Sequence, residues 1–202
     1  MTTSRDLLIV TMDDAAAGST VDPDDLSLAL AGAELVDLVG AGAITLDGER
    51  IVPGAATATG DRLLDRASSS VLRQEPYETV DHWLWRRGDT LSAEYVAALE
   101  ADGDAVRPRH RWIPVRSDRL ALVDSPARVH AAERWASGDP VLSLLAVAAG
   151  VPARPTDTAD RVTDEVTVTV VDAVNQAVTE LEARRQRRKI EKDAFDNIWR
   201  AP

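Results

Sequence analysis

Asp22-Pro23-Asp24-Asp25-Leu26-Ser27-Leu28-Ala29-Leu30-Ala31-Gly32-Ala33-Glu34-Leu35-Val36-Asp37-Leu38-Val39-Gly40 is the stretch whose reading decides the fold. Asp22 is placed to accept the free N–H groups of a helix start. Pro23 suits the first helical position, and Asp24 and Asp25 complement the positive end of the helix dipole. Leu28, Leu35, Leu38 and Val39 keep helical spacing until Gly40 and Gly42 end it. Ile44 to Val52 follows, with Asp47-Gly48 between apolar β-formers, a strong hairpin signal. The pattern predicts a helix and then a hairpin.

Outward from this core the punctuation repeats. Upstream, Arg5 to Met12 reads as a short apolar helix or strand before a Gly/Ala/Ser loop. Downstream, Gly60 to Ser70 and Thr79 to Arg86 are predicted helices, the second carrying Trp83 and Trp85. Ser92 is predicted to cap a helix that runs to Ala101 and closes at Gly103. Ala105 to Val123 has the pattern of a second, Pro-punctuated hairpin. Ser125-Pro126 and Asp139-Pro140 open helices to Ala136 and Ala149. Val151 to Thr158, rich in Pro and Thr, is linker-like. From Val162 to Val171 a Thr/Val alternation fits a strand, whereas Val166, Val170, Val174, Val178 and Leu181 fit a helix. The longer pattern favours one helix from about Asp160 onward. The expected fold is mainly α, a helical bundle with two small β-hairpins. Its one domain spans 1–202, with a core at about 5–150 and a C-terminal helical segment at about 160–200.

Composition limits the functions open to this chain. A hydrophobic share of 45% is that of a globular protein, and 202 residues suffice for one sizeable core. Five of the few aromatic residues are Trp, so the core must be built chiefly from Leu, Val and Ala. There is no cysteine, which excludes disulfides and Cys-type zinc sites and fits a reducing, cytoplasmic setting. The formal net charge of −11 repels polyanions on average, so contact with one requires a local basic patch. The N-terminus, interrupted by Asp13 and Asp14, does not read as a signal peptide. Val141 to Val151 falls short of the roughly 18 apolar residues that span a bilayer. No lipidation signal is visible at either end.

The sequence offers little to a catalytic reading, and no cofactor or metal is expected. His82, His110 and His130 lie in unrelated segments without metal-ligand spacing. No nucleophile elbow, phosphate-binding loop or zinc-protease motif occurs. Gly40-Ala41-Gly42 follows a helix and precedes a strand, the reverse of a phosphate loop.

Basic residues gather in three places. Arg107, Arg109, Arg111, Arg116 and Arg119 fall in the second hairpin, and residues two apart on a strand share a face. Arg107, Arg109 and Arg111 would then project together, with Trp112 and Ile113 beside them at a membrane interface. Arginines meeting phosphates, with an indole at headgroup depth, suit a phospholipid surface. Each contributes roughly 1 kcal/mol near an anionic membrane. The bland alternative is a solvated strand edge guarded against aggregation. Arg86 and Arg87, after Trp83-Leu84-Trp85, are a second candidate headgroup contact. The run Arg184 to Lys192 is densest, yet on a helix it covers much of the circumference, and a solvated helix end is the favoured reading of it.

Several segments together resemble one family. The run from Asp25 to Leu38, then Gly40, Gly42 and Ile44-Thr45-Leu46, is similar to the opening helix and strand of the Golgi phosphoprotein 3 family. Thr59-Gly60-Asp61-Arg62-Leu63-Leu64-Asp65 resembles its TGDxLLDE segment. Glu75-Pro76-Tyr77-Glu78-Thr79-Val80 with Trp83 resembles its PPETVxxW segment, and Glu133-Arg134-Trp135 before a Leu/Ala helix completes the series. Order and spacing hold from about residue 5 to 150, as in a short bacterial-type member. The resemblance implies a mostly helical, non-enzymatic peripheral membrane protein that binds phosphatidylinositol 4-phosphate. In the Golgi members it also implies an adaptor for membrane-protein clients. The family's headgroup pocket uses a Trp before the opening helix, an Arg before its Gly and two Arg on a later helix. Here those places fall near Asp22, at Ala31 and within Ser92 to Ala101, which holds no Arg. The family's membrane-inserting and self-associating hairpin corresponds to about Val106 to Val115.

The leading expectation is a cytoplasmic protein, peripheral to the membrane, whose partner is an anionic phospholipid surface. A self-associating protein scaffold that uses the hairpin without lipid is the second reading. A winged-helix-like nucleic-acid binder is a distant third, disfavoured by the −11 charge and the lack of a basic recognition helix.

Overall fold

Asp22 accepts a hydrogen bond from the Asp24 backbone N–H at 2.9 Å, so the helix starts where capping chemistry places it. The computed structural model describes residues 2–16, 18, 20–55, 58–107, 120–153 and 164–200. Among them are eight helices: α1 (Thr3–Ala16), α2 (Pro23–Gly40), α3 (Arg62–Ser70), α4 (Val80–Arg87), α5 (Leu91–Asp102), α6 (Pro126–Ala136), α7 (Pro140–Ala148) and α8 (Glu165–Arg200). Two antiparallel hairpins complete the described elements: β1 (Ile44–Asp47) with β2 (Arg50–Pro53), and β3 (Ala105–Val106) with β4 (Ala121–Leu122). The molecule is mainly α, as the sequence predicts.

α2 is the hub. It touches α1, α3, α4, α5, α7 and α8, and every residue from Leu26 to Leu35 is buried. A helix surrounded by others must be apolar on most of its circumference, which explains the near-continuous Leu/Ala run. Its small residues set how closely neighbours approach. A Cβ built on Gly32 would lie 2.5 Å from Val174 Cγ2 and 3.4 Å from Val170 Cγ1, both on α8. Val170 and Val174 are fully buried and β-branched, so neither can swing aside cheaply. Gly32→Ala is therefore expected to lower stability by about 1 kcal/mol net. Overpacking costs about 1–3 kcal/mol, and the helix-propensity gain of alanine over glycine returns about 1 kcal/mol. Urea unfolding measures this. A more stable variant would mean that α8 yields at this contact.

Local chemistry accounts for most helix starts. Asp61 accepts from the Leu63 and Leu64 N–H groups, Thr79 from His82, Ser125 from Arg128 and Asp139 from Leu142. Thr59 clamps the first turn of α3 by donating its N–H and Oγ1 to Asp65 at 2.7 and 2.8 Å. The carboxyl of Asp65 is held below its usual range by those bonds.

Of two further starts, only that of α5 departs from expectation. α1 is a helix throughout, and the carboxylate of Asp37 on α2 accepts the Thr3 and Ser4 N–H groups at 3.0 and 3.2 Å. α5 begins before Ser92, after Thr90 in the left-handed region at φ 58° with no side-chain cap. Ser92 instead bonds across to α2, its N–H and Oγ meeting Ser27 Oγ at 3.0 and 2.9 Å. The position predicted as a cap is an interhelical contact.

The first hairpin pairs Asp47 with Arg50, with Gly48 at φ 56° in the turn. It also holds the segment before α4. The Ile51 N–H donates to the Glu78 carbonyl at 2.9 Å, and the Val80 N–H to the Glu49 carbonyl at 2.8 Å. α8 resolves the strand-or-helix ambiguity at 165–171 in favour of helix. Its buried side is Thr167, Val170, Val171, Val174, Ala177 and Leu181, packed on α2, α4 and α7.

Candidate functional site

Arg86 and Arg87 are adjacent in sequence but point to different carboxylates. Arg86, 34% exposed, holds Glu78 through Nη2 at 2.7 and 3.0 Å and Nε at 3.2 Å. It also lies 5.2 Å from the Trp83 ring centroid. Glu78 is buried, and its Oε2 is 3.2 Å from Nδ1 of His82. Arg87, 10% exposed, grips Glu34 with Nε and Nη2, both at 2.9 Å, and reaches Glu94 at 3.4 Å. Tyr95 adds a hydroxyl donor to Glu34 at 3.1 Å. Burial pushes the Glu34 carboxyl up to about 7 against the pull of Arg87 and Tyr95. The same contacts hold the Arg87 guanidinium more firmly protonated, although its own burial works the other way. These two arginines tie α4 to the core.

Arg107 leaves β3 with its side chain 59% exposed. It pairs with Glu100 of α5, Nε to Oε1 at 2.5 Å and Nη2 to Oε2 at 3.2 Å. That contact holds the Glu100 carboxyl below its ordinary range. Nearby acids in the sequence do not reveal Glu100 as a partner; the turn at Gly103 folds α5 back against β3. Arg109, Arg111, Trp112 and Ile113 lie outside the described residues.

The third basic region is divided by its surroundings. Arg185 reaches back to the first turn of α2 and meets Asp22, Asp24 and Asp25 at 2.6, 3.2 and 2.8 Å. Arg184 lies 4.4 Å from the Trp85 ring centroid and bonds Glu180 at 2.6 Å. Arg187, Arg188, Lys189 and Lys192 are exposed, and none is paired with a carboxylate among the described residues. The circumference therefore does divide into faces.

At positions that the family resemblance gives to a headgroup pocket, residues of this chain are bonded to other groups. Ala31 is fully buried and its carbonyl accepts the Trp83 indole N–H at 3.1 Å. Asp22 carries Arg185, and Ser92 is bonded to Ser27. Arg134 of the Glu-Arg-Trp segment bridges Asp6 of α1 at 2.7 Å and Asp139 at 2.9 Å. That motif joins α1, α6 and the start of α7.

Among the described residues no group of His, Asp or Glu is arranged to hold a metal ion, and no helix is long and apolar enough to cross a membrane. The family model described as Golgi phosphoprotein 3 matches residues 4–192. No curated protein matches the chain.

Proposed function

Because the chain belongs to the Golgi phosphoprotein 3 family, we propose that it is a non-enzymatic peripheral protein that docks on anionic phospholipid headgroups, phosphatidylinositol 4-phosphate among them. The family match over almost the whole chain carries this reading. The second hairpin is consistent with it in sequence: exposed Arg107, which pairs with Glu100, is followed by Arg109, Arg111, Trp112 and Ile113. Of the two α4 candidates, half-exposed Arg86 borders the surface, and Arg87 contributes by fixing α4. A protein so docked is suited to hold a membrane-protein client against the bilayer.

The test is cosedimentation of the full chain with phosphatidylcholine vesicles, with and without phosphatidylserine or phosphatidylinositol 4-phosphate. Binding is expected only to the anionic vesicles and should weaken with salt. At roughly 1 kcal/mol per basic residue, Arg109→Glu with Arg111→Glu should weaken it about tenfold or more. No binding to any vesicle, with a mass that rises with concentration through the hairpin, would favour the self-associating scaffold instead.

A further inference from the structure

Val170, Val174, Ala177 and Leu181 form the stripe by which α8 packs on the body. Continued at the same helical spacing, that stripe becomes Arg184, Arg188, Glu191 and Phe195. The face that is apolar against the core takes on two arginines, one acid and one aromatic as the helix leaves it. Trp85 marks the boundary, half-buried beneath Arg184. Two adjoining hollows meet at Leu181. One, of about 370 Å³, is bordered by Leu28, Trp85 and Arg86 but also by the acids Asp24 and Asp89, so the open cationic surface lies on the other side of Leu181. The other, of about 380 Å³, is bordered by Arg184, Arg187, Arg188 and Glu191.

Charge makes this corner unusual for the molecule. The chain carries a net −11, and Arg86, Arg87, Arg128 and Arg134 each hold a carboxylate. From 184 to 192 six basic residues face a single acid, Glu191. Arg184 is preset by Trp85 and Glu180, and Arg185 anchors the helix to α2. Neither Arg187 nor Arg188 has an acidic partner among the described residues; Arg187 Nε makes only a 3.3 Å bond to the Ala183 carbonyl. Guanidinium forks left open in this way match phosphate oxygens. Exposed Ile190 and Phe195, 67% and 60% accessible, lie on the same segment. Basic residues mixed with exposed apolar ones on a projecting helix suit a lipid interface.

We propose that the projecting half of α8, with Trp85 beneath it, is a second contact for anionic phospholipid, in addition to the residues of 107–113. Arg187 and Arg188 take headgroup phosphates, and Arg184 frames the site. This rests on the membrane-docking reading above and adds to it a place that the hairpin does not supply.

The experiment compares full-length wild type, Arg187→Glu/Arg188→Glu and Arg62→Glu/Arg66→Glu on phosphatidylserine-containing vesicles, with thermal unfolding of each. Arg62 and Arg66 are exposed on α3, so the second pair applies the same change of charge elsewhere. The α8 pair is expected to weaken binding roughly tenfold or more. Its unfolding temperature should stay unchanged, and the α3 pair should have a clearly smaller effect. Equal losses from both pairs, or wild-type binding by the α8 pair, would overturn the α8 site while leaving membrane docking intact. If wild type binds no anionic vesicle, the docking reading falls and the α8 site with it.

Discussion

Arg87→Ala is expected to lower stability by about 3–5 kcal/mol at roughly pH 8, and by about 1 kcal/mol less at roughly pH 5. Glu34 is fully buried and depends on the Arg87 fork for its charge. Removing Arg87 leaves that carboxylate with Tyr95 as its remaining donor. The pH dependence follows from the raised Glu34 value, about 7 against an ordinary 4.5. A carboxyl raised in the folded state favours folding fully below its unfolded value and loses that contribution as pH rises through the folded one. At low pH Glu34 is protonated with or without Arg87, so the arginine matters less. Denaturant titrations at the two pH values measure the difference. An equal cost at both would mean that Glu34 does not titrate in this window. A cost below about 1 kcal/mol at the higher pH would place the pair among weak surface bridges. Glu34→Gln should remove the stability change between these pH values that Glu34 causes.

Trp83→Ala is expected to cost about 3–5 kcal/mol, the range for deleting a large aromatic from a packed core. Trp83 is fully buried, donates its indole N–H to the Ala31 carbonyl of α2, and lies under Arg86. Its loss opens a cavity between α4 and α2 and removes the surface against which the Arg86–Glu78 pair is set. Because α4 also packs on α8, looser packing there should accompany the lower stability, read as faster amide exchange in α8. A variant within about 1 kcal/mol of wild type would mean that neighbouring helices collapse to fill the space. The two substitutions act on one side of α4 in different ways: charge on Glu34 and volume beside Ala31.

The candidate surface was legible only in part. A cluster of arginines in the second hairpin can be seen by counting, and so can the basic run after Glu182. Which arginines face solvent cannot. Arg86 and Arg87 look equivalent as neighbours, yet their carboxylates lie eight and fifty-three residues away. Arg185 likewise meets a trio of acids more than one hundred and fifty residues earlier. The residue at 184 reveals its role only when Trp85 is beneath it.

By itself the sequence determined the elements whose causes are local. Asp22-Pro23, Ser125-Pro126 and Asp139-Pro140 start helices because a side-chain oxygen and a fixed φ act within one turn. Asp47-Gly48 turns a hairpin for a similarly local reason. Only the tertiary structure decided that Asp37 caps α1, that Ser92 bonds Ser27 rather than its own helix, and which guanidiniums remain open. Those outcomes depend on which distant groups lose water together, because a buried charge or N–H must find a partner wherever the fold brings one.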